Sequence, residues 1–491
     1  MRPEVGGGLV SNEVYALMSI DENLSRREFI RAGSGTALVL SAAALAGASG
    51  APGLPEQESR DLGGDLVAYS GARLFDGTQS RDDHAVLVKG GQVVEIVPLD
   101  RVPKGIAHYH EADCTILPGL IDVHVHFMRY QGPQFLAYGV TTVRDTGNDL
   151  QWILARRGEW ESKPWPRILC LGPILDGPAP VHGQVCRRCV NEADAVAAVG
   201  ETARAGADGL KFYVGLDPAW IPAMAAAGHA AGRKVSMHCA GGGVLSAARA
   251  GVDEFFHYDG ILADLYPDRP RAWLNAWGRP DFAETLDRQR TVADGIRESK
   301  ITATPTLAYW DSQRRIREAG WPESEDLRYT PSDMAAWQSV PPDENLRDEW
   351  RRALEAAQRF TGLLLEREVP VLAGSDVPCG IIPPGLSLWR ELSLLVDAGM
   401  SPERAIRAAT VDAASYLGKP ELGRLSPGSV ADLVFVRGNP LEAIPEKPEV
   451  VMTLHHGTLY RPTELLAKEE VSLEDEPWAR QFKQHGERQK K

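Results

Sequence analysis

The chain has 491 residues, with 53 Lys and Arg against 67 Asp and Glu, giving a formal charge of −14 at pH 7. A hydrophobic content of 43% with 24% charged residues is ordinary for a packed globular protein, which excludes disorder as the main state. No clustered basic face stands out, which argues against nucleic acid as a partner, since neutralising phosphates needs one. Six cysteines in this length are too few for a disulfide scaffold.

Residues 1–52 read as a removable export signal. Arg26-Arg27 stand two positions before Phe29, an apolar run follows from Thr36 to Gly47, and Ala46-Gly47-Ala48-Ser49-Gly50-Ala51 supplies small residues for a signal peptidase. That order resembles a twin-arginine signal. The run is too short and too rich in Ala and Gly to span a bilayer. The expected partner is therefore the twin-arginine export machinery, and the expected location is periplasmic or extracellular after cleavage. Residues 53–64 read as a linker.

From residue 65 to 117 the pattern is strand-like, with Leu66–Tyr69, Ala85–Val88 and Val93–Val97 separated by turn formers such as Asp76-Gly77 and Gly90-Gly91. Residues 118–419 alternate short apolar runs with Ala-rich helical stretches. The runs are Gly119–Val123, Thr141–Val143, Ile168–Leu171, Gly209–Phe212, Val235–Met237, Glu254–Phe256, Ala303–Thr306 and Val371–Ala373. Eight such units predict an α/β fold of the (β/α)8 TIM-barrel type, with functional residues at the C-terminal ends of the strands. A second strand group, Ala431–Val436 and Val450–Leu454, lies within residues 420–463. The charged residues 464–491 read as a solvated helix or frayed end.

The strongest chemical signal is Pro118-Gly119-Leu120-Ile121-Asp122-Val123-His124-Val125-His126. Residues two apart on a strand share a face, so His124 and His126 can offer two imidazoles to one ion at a barrel mouth. A second His-x-His pair, His108 and His110, competes for this role from flanks that look like an edge strand or turn. Donors at the ends of later runs are Lys211, His238, His257 and Asp376, each on a different strand and at spacings that admit whole βα units. Four histidines, a lysine and a carboxylate so placed suit a dinuclear site.

These residues, with Gly374-Ser375-Asp376, resemble the metal-binding pattern of the amidohydrolase superfamily. Gly139–Asp145, Gly206–Lys211 and Ala408-Ala409-Thr410 resemble its imidazolonepropionase-like branch, which holds Xaa-Pro dipeptidases and related metallocarboxypeptidases. The resemblance runs from about residue 65 to 460. It implies a small β-sandwich built from both chain ends beside the barrel. It also implies two divalent ions, with zinc expected, one held by His124, His126 and Asp376 and the other by His238 and His257. Lys211 would be carboxylated and bridge them, since a desolvated lysine loses its proton readily and the amine can take up CO2. A hydroxide shared by the ions would attack the substrate carbonyl, and Asp376 would move the proton to the leaving group. One departure is that His257 is followed by Tyr258-Asp259-Gly260, where relatives place Gly directly.

Several residues carry weaker expectations. His182, after the third strand, is a candidate catalytic residue that polarises the carbonyl, and Tyr213 shares a strand face with Lys211 and is a candidate substrate contact. Arg144 is expected in a structural ion pair. Cys186 and Cys189 form a lone C-x-x-C, read either as a local disulfide or as two free thiols. Trp310, Trp321 and Trp337 mark a segment near 311–350 that reads either as a lid or as a surface subdomain.

The function these readings favour is hydrolysis of an amide in a small-molecule or short-peptide substrate, a dipeptide or N-acyl amino acid. A deaminase would want Glu three residues after His238, where Gly241 stands. A lactonase or phosphotriesterase-like hydrolase on the same ligands, and a non-catalytic barrel, are the alternatives. Assembly into a homo-oligomer is left open. If Arg26 and Arg27 direct export, replacing both with Lys should trap the protein in the cytoplasm, and fractionation checks this. A mature protein beginning at Met1 would refute the signal.

Overall fold

The computed structural model describes residues 65–240, 242–266, 277–279, 282, 285–318, 327–338, 340–379, 382–466, 473–480 and 482–483. The proposed signal and linker lie outside the described residues, as does Trp321.

The first five strands are β1 (Val67–Phe75), β2 (Ser80–Asp82), β3 (His84–Lys89), β4 (Gln92–Pro98) and β5 (Ala107–Pro118). Next come β6 (Leu120–Val125), β7 (Val140–Asp145), β8 (Arg167–Cys170), β9 (Ile174–Asp176), β10 (Cys186–Arg188), β11 (Gly209–Phe212), β12 (Lys234–His238), β13 (Glu254–Phe256) and β14 (Thr302–Thr304). The last three are β15 (Leu433–Arg437), β16 (Val450–His455) and β17 (Thr458–Tyr460).

Both chain ends build one eight-stranded sheet in the order β17-β16-β15-β5-β1-β3-β4, with β2 beside β1. The two strand groups expected as a sandwich are thus hydrogen-bonded into a single sheet. Strand β5 joins them: its C-terminal half pairs with β15, and its whole length follows β1. Tyr69, Val86, Ile116, Phe435, Met452 and Leu454 fill the core on one side of this sheet. The chain passes directly from β5 to β6 at Gly119, where a Cβ would lie 2.2 Å from the Thr141 hydroxyl and 2.8 Å from Asp432. Only glycine permits this approach of the two layers.

The middle of the chain is a TIM-barrel-like α/β fold, as the alternation predicts. Strands β6-β7-β8 form one parallel sheet, and β10-β9-β11-β12-β13-β14 another. Their edges are linked by the strip 371–377, which pairs in parallel at Ala303 with Val371 and at Val125 with Val377. The eighth expected run therefore appears as bridges rather than as a full strand. On the opposite side, Asp208 N–H donates to the Cys170 carbonyl at 2.7 Å. Helices alternate with these strands. In Glu192–Arg204, Asn191 caps the first turn by accepting from Asp194 N–H, and Ala195, Ala198, Val199, Thr202 and Ala203 supply the buried stripe.

A polar knot crosses the interior. Arg144 on β7 donates to both oxygens of Glu254 on β13, at 2.9 and 2.8 Å, and its Nε donates to the Val123 carbonyl. Ser236 and Thr304 each donate to Glu254 at 2.6 Å. The expected structural role of Arg144 holds. Cys186 and Cys189 are free thiols. Trp310 is a core residue, and the segment around it forms the helices Leu307–Arg315, Ser332–Gln338 and Glu344–Glu366.

One expectation needs correction. The residues after 464 are not simply a solvated end, because Leu473, Glu476, Trp478 and Ala479 are buried against the barrel, their apolar surface excluded from water. The competing pair, His108 and His110, lies on β5, both at hydrogen-bond distance from Ser70 Oγ (2.7 and 2.8 Å) in the eight-stranded sheet, apart from the barrel strands.

Glu391, on the helix Leu386–Asp397, anchors the start of the helix Leu307–Arg315 by accepting from Ala308 N–H at 2.7 Å. Burial pushes its carboxyl up to about 8, against the amide hydrogen bonds that pull it down. The folded state then keeps a proton that the unfolded chain releases above the ordinary value of 4.5, so Glu391 favours folding below that pH and loses this contribution as pH rises to about 8. Glu391→Gln should flatten the fall in Tm between those limits, measured by calorimetry. An unchanged slope would show that another group sets it.

Candidate metal centre

Three side chains converge at the seam between β6 and the strip 371–377. His124 Nε2 lies 3.3 Å, and His126 Nε2 3.2 Å, from Asp376 Oδ1. Ligand atoms from His124, His126 and Asp376 all fall within 4.8 Å of one another, and each residue is buried. The two histidines reach the same place because they are two apart on β6. Asp376 reaches it because its N–H donates to the His124 carbonyl at 2.8 Å, locking the strip to the strand.

Asp122 sets that lock. Its Oδ1 accepts from His124 N–H (3.2 Å) and Ser375 N–H (3.0 Å), and its Oδ2 from Ser375 Oγ at 2.6 Å. Gly374 completes the fit, since a Cβ there would lie 2.6 Å from that of His124. Asp376 and His257 both hold left-handed backbone, with φ of 60°. Non-glycine residues adopt it at a cost, and it persists where surrounding structure fixes it, most often at functional sites.

The remaining predicted ligands stand close by. The His257 ring centroid is 4.9 Å from that of His124, and the His238 ring is 4.5 Å from His257. His257 Nδ1 is 2.6 Å from Thr306 Oγ1, and His238 Nε2 is 2.7 Å from Asp259 Oδ2. Each ring thus has one nitrogen engaged and one left for a ligand. Asp259 belongs to the Tyr258-Asp259-Gly260 departure, so the unusual residue orients a histidine.

Lys211 Nζ sits 3.9 Å from the centroid of Phe256, the ring that also packs on His124. It is 1% exposed and, among the described residues, has no ion pair with Asp376. Burial pulls its amine down to about 7, partly opposed by the Asp376 and Glu254 carboxylates. Burial also keeps His124 and His257 well below the usual imidazole range. The Asp376 carboxyl lies well below the usual carboxylate range, its burial opposed by the histidines it contacts.

Neutral imidazoles around an ionised carboxylate are the protonation states that a metal requires. Both ring nitrogens of His124, and Asp376 Oδ1, are buried without a hydrogen-bond partner. Buried polar atoms normally have one. The residues fit a divalent cation.

His182 and Tyr213 are brought together at the rim, with His182 Nε2 3.0 Å from the Tyr213 hydroxyl and His182 Nδ1 unpartnered. The Tyr213 ring also faces His238 at 5.0 Å. Asp176 orders the loop that carries His182 by accepting from the N–H groups of Gly177, Val181 and Gly215. Sequence reasoning did not assign Asp122, Asp259, Thr306 or Trp478. The first lay inside the motif, and the others are joined to the site by folding alone.

No curated protein matches the sequence. Among solved structures, a Xaa-Pro dipeptidase with methionine bound in its active site is similar at 21% identity and TM-score 0.61, over 81% of this chain and 100% of that one. A putative prolidase from Bifidobacterium longum is similar at 21% identity and TM-score 0.61, over 81% and 95%. A bottromycin amidohydrolase reaches 22% identity and TM-score 0.63, over 86% and 90%. These likenesses are of fold. The sequence matches the amidohydrolase family model over residues 115–461, most of the chain and all of the ligand-bearing strands. The chain belongs to the amidohydrolase family.

Proposed function

We propose that this protein is a metal-dependent hydrolase that cleaves the amide bond of a dipeptide or N-acyl amino acid. The observation that carries the reading is the buried set of His124, His126 and Asp376, whose ligand atoms converge while both His124 ring nitrogens and Asp376 Oδ1 lack hydrogen-bond partners. The similar structures described as a Xaa-Pro dipeptidase, a prolidase and a bottromycin amidohydrolase support amide substrates.

His124, His126 and Asp376 would hold one ion, and His238 with His257 a second. Bound there, divalent metal supplies a Lewis acid for the substrate carbonyl and a nucleophilic water at neutral pH. Lys211 enters through its chemistry: as a neutral amine it adds CO2 through a new N–C bond and loses a proton, becoming an anionic carbamate between the two histidine pairs. Asp376 accepts the proton of the attacking water and passes it to the leaving nitrogen. His182, held by the Tyr213 hydroxyl, donates toward the carbonyl oxygen as charge develops on it. The twin-arginine-like order of Arg26-Arg27 and the apolar run after it supports a location outside the cytoplasm.

Asp376→Asn keeps the shape and removes the basic oxygen, so kcat should fall by at least ~10²-fold with the fold intact. A screen of dipeptides, N-acyl amino acids, lactones and phosphotriesters, assayed with and without chelator, tests the whole reading. Greater activity on lactones or phosphotriesters than on every amide would replace the substrate class. Lys211→Ala should lower the metal content from two ions per chain toward one and abolish turnover, with partial rescue by formate or acetate. Two fully occupied metals in that variant would remove the lysine from the ligand set.

A further inference from the structure

Residues 473–480 come from the part of the chain farthest in sequence from β6, yet they pack on its ligand-bearing end. Trp478 lies with its ring centroid 4.2 Å from that of His126 and 5.2 Å from that of His182. Its Nε1–H donates to the Gly147 carbonyl at 2.7 Å. The same carbonyl is 3.3 Å from His126 Nδ1. One backbone oxygen is therefore shared by the indole and the imidazole.

That sharing has a chemical consequence. An Nδ1–H directed at a carbonyl leaves Nε2 as the lone-pair nitrogen, the one that faces Asp376. An indole donor on the same oxygen holds the carbonyl in place, and the indole face limits rotation of the imidazole.

The segment is itself fastened. Glu476 is fully buried and accepts from Arg129 Nε at 2.7 Å and from Arg129 N–H at 3.3 Å. Arg129 sits three residues after His126, so the clasp closes on the loop that leaves the metal strand. Leu473 and Ala479 join Met128, Tyr130 and Tyr213 in one apolar cluster. A buried ion pair contributes little net stability beside an apolar replacement, and its best-attested use is to fix one arrangement among alternatives.

We infer that the C-terminal segment is part of the metal centre, with Trp478 a positioning residue that fixes the tautomer and orientation of His126 and Glu476 the clasp that holds Trp478 there. This rests on the metal-hydrolase reading above. It extends that reading to a segment that sequence assigns to solvent.

The test uses the full-length chain loaded with zinc, and follows transfer of zinc to a chromogenic chelator under pseudo-first-order conditions. Trp478→Leu keeps an apolar group and removes both the ring contact and the donor. It should release its more labile zinc on the order of 10-fold faster than wild type, within the range that outer-shell partners of ligands command. Trp478→Phe keeps a ring contact without the donor and should fall between the two. Glu476→Gln should also speed release, by a smaller factor. On an amide identified by the screen, kcat should fall in the same order with KM little changed.

Wild-type release from a folded Trp478→Leu variant would overturn the inference. If that variant does not fold, Trp478→Phe decides by the same criterion. A wild-type chain that binds no metal would overturn the hydrolase reading and this inference together. A wild type that holds metal, beside variants that hold it equally well, would overturn this inference alone.

Discussion

The carboxylate of Asp122 is the constraint on which the site depends. It is fully buried, and it accepts three hydrogen bonds, from His124 N–H, Ser375 N–H and Ser375 Oγ, across two chain segments some 250 positions apart. Burial pushes its carboxyl up to about 7, against those hydrogen bonds. Because the donors belong to His124 itself and to Ser375, the neighbour of Asp376, satisfying this one group brings His124 and Asp376 into register. The cost of leaving a buried carboxylate without donors makes other registers unfavourable.

A second buried polar group does the same for the fold. Glu254 on β13 collects Arg144 from β7, Ser236 from β12 and Thr304 from β14, while Arg144 also reaches the Val123 carbonyl on β6. The strands that bear His124, His126, His238 and His257 are thus tied through one bidentate pair below the ligands. Removing either partner would leave an uncompensated charge in the interior, which is far costlier than the pair itself is stabilising.

Above that knot the chemistry is arranged by protonation state. Burial holds His124 and His257 well below the usual imidazole range and pulls Lys211 down to about 7, while Asp376 lies below the usual carboxylate range. The site therefore concentrates lone pairs on nitrogen and negative charge on one oxygen, in a place where water is scarce. A protein without a ligand for these atoms would find the arrangement unfavourable, and this supports the proposed metal centre.

By itself the sequence determined the alternation that makes the TIM-barrel-like fold, the ligand strand of His124 and His126, and the set of Lys211, His238, His257 and Asp376. Those features are local: a period of two on a strand, a donor at the end of an apolar run. Spacing alone left His108/His110 as a competitor, because both pairs share a strand face, although the flanks and the later donors favoured His124/His126. Tertiary structure decided that by placing the first pair on Ser70 and the second against Asp376. It also decided the fate of the C-terminal segment. Leu473, Glu476 and Trp478 sit in a charged stretch with no clear period, and their burial follows from contacts with Arg129, Gly147 and His126 more than 300 residues away. Local pattern records how a segment folds upon itself, and it holds no information about which distant surface will exclude water from it.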